Sequence, residues 1–203
     1  MPAFPDPNRP IHTCDRTSCD GCGLRGKLTC HFNGKQLLVF VLSFLPVFVL
    51  GVLLTARVSL VWTGGWLVCF LLYFGGIEIR VMCSHCPHYA ESDTKALQCW
   101  ANYGSPKLWK YRPGPMSATE KTVFLGGLLA VFAYPAVFAV LTESYVLLAL
   151  YAAAVAAAAY HLRSRLCVKC FNFACPLNRV DAETRRKFLQ CNPTVREAYE
   201  HKA

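Results

Sequence analysis

Four long apolar stretches dominate the sequence and limit the folds that it can adopt. They span residues 36–56, 58–79, 122–141 and 144–162, and none contains a charged residue away from its ends. At about 1.5 Å per residue, a helix of about 20 residues crosses a hydrocarbon core of about 30 Å. The chain is 54% hydrophobic yet carries a formal charge of +9, which is typical of a small integral membrane protein. The sequence therefore predicts an all-α membrane protein with four transmembrane helices.

Short connections pair these helices into two transmembrane hairpins, residues 36–79 and 122–162. Residues 1–35, 80–121 and 163–203 must then share the other side of the membrane. That side carries 20 of the 21 Lys and Arg residues, and only Arg57 lies opposite. The positive-inside rule places this side, with both termini, in the cytoplasm. We expect an inner or plasma membrane protein with three small cysteine-rich cytoplasmic segments.

Eleven of the twelve cysteines lie in these three segments. The other, Cys69, lies within an apolar stretch, where cysteine packs as a small hydrophobic residue. In a reducing cytoplasm, closely spaced thiols are more often metal ligands than disulfides. The candidate metal ligands are Cys14, Cys19, Cys22 and Cys30 in the first segment, Cys83, Cys86 and Cys99 in the second, and Cys167, Cys170, Cys175 and Cys191 in the third.

Two kinds of metal centre fit these spacings. The spacing Cys14-x4-Cys19-x2-Cys22 is similar to that of plant-type ferredoxin ligands, and Cys86 and Cys175 each precede a proline, as a ligand of bacterial ferredoxins does. No group matches a complete ferredoxin motif. The sequence Cys19-Asp-Gly-Cys22-Gly is equally typical of a zinc knuckle. We expect iron–sulfur clusters that transfer electrons. The alternatives are zinc that stabilises a membrane scaffold or accessory subunit, and thiol-redox or soft-metal chemistry.

Each hairpin is followed within a few residues by a Cys-x2-Cys pair, Cys83/Cys86 after the first and Cys167/Cys170 after the second. This arrangement predicts a duplicated unit whose two pairs meet at equal depth in one four-sulfur site. The second segment has only three cysteines, so its fourth ligand is His85, His88 or a cysteine from another segment. An open fourth position is the remaining possibility.

Short local motifs predict two helix starts. Ser117 with Glu120 predicts a capping box at the third transmembrane helix, and Asp181 predicts the cap of a short helix that ends near residue 189.

The sequence contains no nucleophile–histidine–acid set, phosphate loop or dinucleotide fingerprint, and whether the chain is an enzyme stays open. Nucleic-acid binding is not expected, because the basic residues follow the membrane boundary. The expected partners are the lipid bilayer and a soluble or membrane redox protein. Lys107, Lys110 and Arg112 are candidates for docking that protein or anionic lipid headgroups.

Overall fold

The computed structural model describes residues 8–201, and this part of the chain is helical with two isolated β-bridges and no strand. Four helical runs are long and apolar enough to cross a membrane: Gly34–Ala56, Leu60–His85, Ala118–Leu141 and Tyr145–Lys169. The prediction of an all-α chain with four such helices is confirmed. Helical structure continues past the predicted ends at residues 79 and 162, to His85 and Lys169.

Both extensions contain a π turn followed by a 3-10 turn. The second run consists of α2 (Leu60–Leu72), a π turn (Tyr73–Ile77), α3 (Glu78–Val81) and a 3-10 turn (Cys83–His85). The fourth run consists of α6 (Tyr145–His161), a π turn (Leu162–Leu166) and a 3-10 turn (Cys167–Lys169). The remaining helices are α1 (Gly34–Ala56), α4 (Pro87–Ala90), α5 (Ala118–Leu141), α7 (Ala182–Gln190) and α8 (Pro193–Glu200).

Both predicted helix starts are confirmed. Ser117 Oγ accepts from the backbone N–H of Glu120, while the Glu120 carboxylate accepts from the backbone N–H of Ser117, which is a capping box. Asp181 caps α7 by accepting from the backbone N–H of Thr184 at 2.8 Å. Helix α8 was not predicted; it begins at Pro193, where the missing N–H of proline costs no helical hydrogen bond.

The long helices pack around α1, which contacts α2, α5 and α6. Trp66 fixes one of these contacts: its side chain is 1% exposed and its Nε1 donates to the Val131 carbonyl oxygen. Its ring lies so close to Gly51 that a Cβ on that glycine would be 2.5 Å from Trp66 Cη2. Large apolar side chains such as Leu60 and Val61, each 80% exposed, cover the outer faces of the helices, as lipid contact requires.

The three cysteine-rich segments come together at one end of the helices and form a single unit, which we call the cap (residues 8–33, 82–117 and 167–201). Its largest apolar cluster combines the first and third segments: Ile11, Leu24, Leu28, Phe171, Phe173, Phe188 and Val195. The second segment joins through an Arg9–Asp93 ion pair at 2.6 Å and a hydrogen bond from the His12 backbone to Glu91 at 2.8 Å. Segments too short to bury a core separately therefore share one.

Candidate metal centre

The two Cys-x2-Cys pairs that follow the hairpins adopt the same backbone conformation. Cys83 and Cys167 each begin a 3-10 turn. Cys86 and Cys170 each follow in extended conformation, with φ and ψ of −77° and 138° at Cys86 and of −82° and 122° at Cys170. A π turn shortly precedes each pair. The two hairpins therefore present these cysteines through the same local structure, as a duplicated unit would.

Five thiols are neighbours at the centre of the cap, and we call them the central group: Cys83, Cys86, Cys99, Cys170 and Cys175. Burial raises the pKa of the Cys86 thiol well above its ordinary value, and negative charge on Cys99 and Cys175 raises it further. Burial also raises the pKa of Cys170, as does charge on Cys86, Cys99 and Cys175. The second and third segments thus contribute thiols to one shared neighbourhood.

The other neighbourhood, which we call the N-terminal group, combines the first segment with the last cysteine of the chain: Cys14, Cys19, Cys22, Cys30 and Cys191. Burial raises the pKa of Cys30 to about 12, and charge on the other first-segment thiols adds to this effect. The Asp15 backbone N–H donates to the Cys191 carbonyl oxygen at 2.9 Å, and Arg16 Nε donates to Cys191 Sγ at 3.4 Å. Cys191 therefore lies with the first-segment thiols and not with the other cysteines of its own segment.

The two remaining cysteines lie outside these groups. Cys167 is buried next to Cys175, at the edge of the central group. Cys69 is exposed on the apolar surface of α2, where a lone thiol has no other sulfur to complete a metal site. Ten of the eleven candidate ligands therefore lie in two groups of five neighbouring thiols. The eleventh, Cys167, lies next to the central group.

The histidines that sequence analysis considered as fourth ligands have other contacts. His85 Nδ1 hydrogen-bonds to the Gly114 carbonyl oxygen at 3.0 Å, and the His88 ring packs edge-on against Phe171 with 4.6 Å between the ring centroids. All twelve cysteines are unpaired thiols. Within residues 8–201, no three His, Cys, Asp or Glu side chains converge closely enough to hold a metal ion. The thiols are neighbours rather than a preformed coordination shell.

Two buried polar atoms beside the central group, Glu78 Oε2 and Tyr111 Oη, have no hydrogen-bond partner within the described part of the chain. Glu78 lies near Cys99 and Cys175, while Tyr111 lies near Cys86. Buried polar atoms are almost always paired in proteins, so these two require an explanation. Thiolates are the ligands that thiophilic metals prefer, so the chemistry of this group fits such a metal although its side chains do not converge.

Most of the basic residues expected to dock a partner are engaged within the cap. Lys107 Nζ donates to the Glu91 carbonyl oxygen at 2.5 Å, and Arg112 pairs with Glu120 at 2.7 Å. Lys110 is exposed, as are Arg186 and Lys187 on α7. A docking surface for an acidic partner would therefore include α7, which sequence analysis did not consider.

No protein-family model matches the chain, and neither a curated protein nor a solved structure is significantly similar to it. Functional inference accordingly depends on the thiols and their neighbours. Sequence analysis did not place Glu78 beside the thiols, although an ionisable residue at the end of an apolar stretch is a recognisable signal of a buried functional group. It also missed the partnership of Cys191 with the first segment, for which the spacing along the chain offers no signal.

Proposed function

We propose that this chain is a membrane-anchored metal-binding protein that carries iron–sulfur clusters for electron transfer at the cytoplasmic face. One observation carries the proposal: ten thiols lie in two groups of neighbours, both in the cap at one end of four helices that could span a membrane. Thiolates are the usual ligands of iron–sulfur clusters, and each group contains at least the four that one cluster requires.

The surroundings of the central group support an electron-transfer role. Cys83 belongs to an apolar cluster with Tyr89, and the aromatic side chains of Trp109 and Tyr111 pack against that cluster. Asn102 Nδ2 donates a hydrogen bond to Cys83 Sγ at 3.3 Å. Burial and hydrogen bonds to sulfur are the means by which proteins adjust cluster potentials. Two groups within one cap would also allow electrons to pass between a soluble donor and a membrane or protein acceptor.

The charge distribution supports the proposed location. Along the chain, 20 of the 21 Lys and Arg residues lie in the three cap segments or next to them. Arg57, the exception, lies at the far end of the helices, where it donates to Ser144 Oγ. The positive-inside rule would put the cap and both chain termini in the cytoplasm of an inner or plasma membrane. The bilayer would cover the exposed apolar faces of the helices, and exposed cap residues such as Lys110 and Arg186 would meet an acidic redox partner.

The test is a metal analysis of the full chain, purified anaerobically in detergent, together with visible and electron paramagnetic resonance spectra. We expect iron with acid-labile sulfide, and a loss of part of both when Cys86 is replaced by alanine. The matched control is Cys69→Ala, because Cys69 lies on the lipid-facing surface of α2 and should not affect metal content. A protein that binds no metal, or loses as much on Cys69→Ala as on Cys86→Ala, would refute the proposal.

Structural zinc is the second candidate, and the small apolar clusters of the cap favour it. The cluster around Met116, Phe124 and Ala174 has only these three fully buried members. Metal binding supplies folding free energy where a core is this limited. Stoichiometric zinc without visible absorbance would identify a zinc-stabilised scaffold or accessory subunit. A metal-free protein with a thiol pair that titrates with redox potential would instead indicate thiol chemistry.

A further inference from the structure

A small cavity lies where the fourth helical run leaves its apolar part. Its volume is about 270 Å³, and its lining residues are Tyr160, Arg163, Ser164, Val168 and Arg179. The first four belong to the end of α6 and to the two turns that follow it, and Arg179 belongs to the loop before α7. In a membrane, the end of an apolar stretch lies at the level of the lipid headgroups. The cavity therefore lies within reach of those headgroups.

Backbone hydrogen bonds hold Arg179 at this cavity. Its N–H donates to the Cys167 carbonyl oxygen at 3.2 Å, which attaches the loop to the end of the fourth run. The preceding residue, Asn178, fixes the same loop from the other side. Its Nδ2 donates to the Asn172 carbonyl oxygen at 3.1 Å, and its Oδ1 accepts from the Val180 N–H at 3.1 Å. The position of Arg179 beside the fourth run therefore follows from the local fold.

Two arginines that line the cavity, Arg163 and Arg179, have no anionic partner. Elsewhere in the cap, Arg9 forms an ion pair at 2.6 Å and Arg112 forms one at 2.7 Å. Within residues 8–201, the guanidinium groups of Arg163 and Arg179 form neither an ion pair nor a hydrogen bond. Residues 144–180 contain no Asp or Glu. The chain thus brings two positive charges to one cavity without a carboxylate to pair with them.

The side chains of the cavity suit the phosphate group of a lipid. The planar fork of an arginine matches the oxygens of a phosphate, and the Ser164 hydroxyl can hydrogen-bond to another oxygen. Tyr160 is 75% exposed at the end of α6, and tyrosine is enriched at the boundary between membrane and water. A zwitterionic headgroup would place its cationic group beside two arginines with no acidic residue to pair with it. The cavity should therefore prefer a headgroup of net negative charge.

We propose that this cavity binds the phosphate of an anionic phospholipid from the leaflet next to the cap, with Arg163 and Arg179 as the residues that hold it. Basic pockets at the cytoplasmic ends of transmembrane helices are suited to such headgroups. The inference depends on the membrane location that the proposed function includes, but it does not require a metal. A bound lipid would connect the end of the fourth run to the loop before α7.

The experiment is native mass spectrometry of the full chain in detergent, titrated with phosphatidylglycerol or phosphatidylcholine. The site variant combines Arg163→Gln with Arg179→Gln. The matched control combines Arg165→Gln with Lys169→Gln, because both residues are exposed in the same two turns but do not line the cavity. The wild type should bind one phosphatidylglycerol in preference to phosphatidylcholine. The site variant should bind it at least about tenfold more weakly than the control does, since one charge-assisted contact contributes about that factor or more.

Three results would overturn the inference. Equal weakening in the site variant and the control would mean that the positive surface attracts lipid without a defined site. Equal affinity of the wild type for the two phospholipids would do the same, and this measurement needs no variant. Displacement of phosphatidylglycerol by an equal concentration of inorganic phosphate would identify a site for the free ion. A metal-free protein that binds phosphatidylglycerol as described would refute the proposed function and support this inference, whereas an iron–sulfur protein that fails to bind it would do the reverse.

Discussion

Arg112 holds the Cys83–Cys86 turn against the start of α5, and its replacement should loosen that turn. Its backbone N–H donates to the Ser84 carbonyl oxygen at 2.8 Å. Its guanidinium donates to the Arg80 carbonyl oxygen at 2.7 Å and to Ser84 Oγ at 3.0 Å. The same guanidinium pairs with Glu120 at 2.7 Å. One side chain thus connects the end of the second helical run, the second segment and α5.

Arg112→Met removes the charge and retains most of the aliphatic stem and the backbone hydrogen bond. Hydrogen bonds from a charged donor contribute about 1.5–3 kcal/mol each when buried, and exposed ion pairs contribute about 0–1 kcal/mol. The Arg112 side chain is 32% exposed and that of Glu120 is 17% exposed, so values near the lower ends apply. The bonds to Arg80 and Ser84 at about 1.5 kcal/mol each give about 3 kcal/mol of destabilisation, and coupling to Glu120 adds at most about 1 kcal/mol.

The local measurement is hydrogen exchange of the Cys86 amide, which donates to the Cys83 carbonyl oxygen at 2.9 Å. If the turn opens locally, about 3 kcal/mol corresponds to exchange that is about 100-fold faster. The coupling is measured by a double-mutant cycle that adds Glu120→Gln. Lys110→Met is the control, because Lys110 lies two residues away and is exposed.

Two results would show that the reasoning is wrong. Exchange at Cys86 that changes equally in Arg112→Met and Lys110→Met would mean that the guanidinium does not hold the turn. A coupling energy indistinguishable from zero, with Arg112→Met alone destabilising the turn, would mean that the bonds to Arg80 and Ser84 account for the effect. The ion pair with Glu120 would then be dispensable.

Two further predictions concern packing and ligand assignment. Gly51→Val places side-chain atoms against the Trp66 ring and should lower the free energy of unfolding in detergent by about 1–3 kcal/mol, measured by thermal unfolding. The control is Gly64→Ala, whose new Cβ meets nothing within 4 Å and which should be neutral or stabilising. Equal effects of the two substitutions on stability would exclude a steric cause. Cys191→Ser should weaken metal retention by the N-terminal group against a chelator and spare the central group, because Cys191 neighbours Cys14. A loss confined to the central group would reverse that assignment.

Local sequence signals predicted the features of this chain that depend on nearby residues. The length of each apolar stretch suffices to identify a helix that can span a membrane, because no backbone polar group can remain unpaired in lipid. The Ser117 capping box and the Asp181 cap were also predictable. Each requires only a side chain and a backbone N–H three residues later.

Two other features were not predictable from local sequence signals. The helical runs continue past residues 79 and 162 because backbone hydrogen bonding persists through the π turns, although Arg80 and Arg163 end the apolar composition. The attachment of Cys191 to the first segment depends on contacts such as the hydrogen bond from Thr13 Oγ1 to Asn192 at 2.7 Å. Such contacts arise only when the three segments form a shared core.

If the central group binds a metal, its composition would link that metal to the stability of the long helices. A metal coordinated by Cys86 and Cys170 would connect the two hairpins and close a loop of about 80 residues. By the loop-closure relation for crosslinks, that removes about 4.5 kcal/mol of chain entropy from the unfolded state. Pairs of thiols from one segment, such as Cys83 and Cys86, close far shorter loops and stabilise much less. A centre that draws its ligands from both hairpins therefore joins them, whereas three separate centres would stabilise only their own segments.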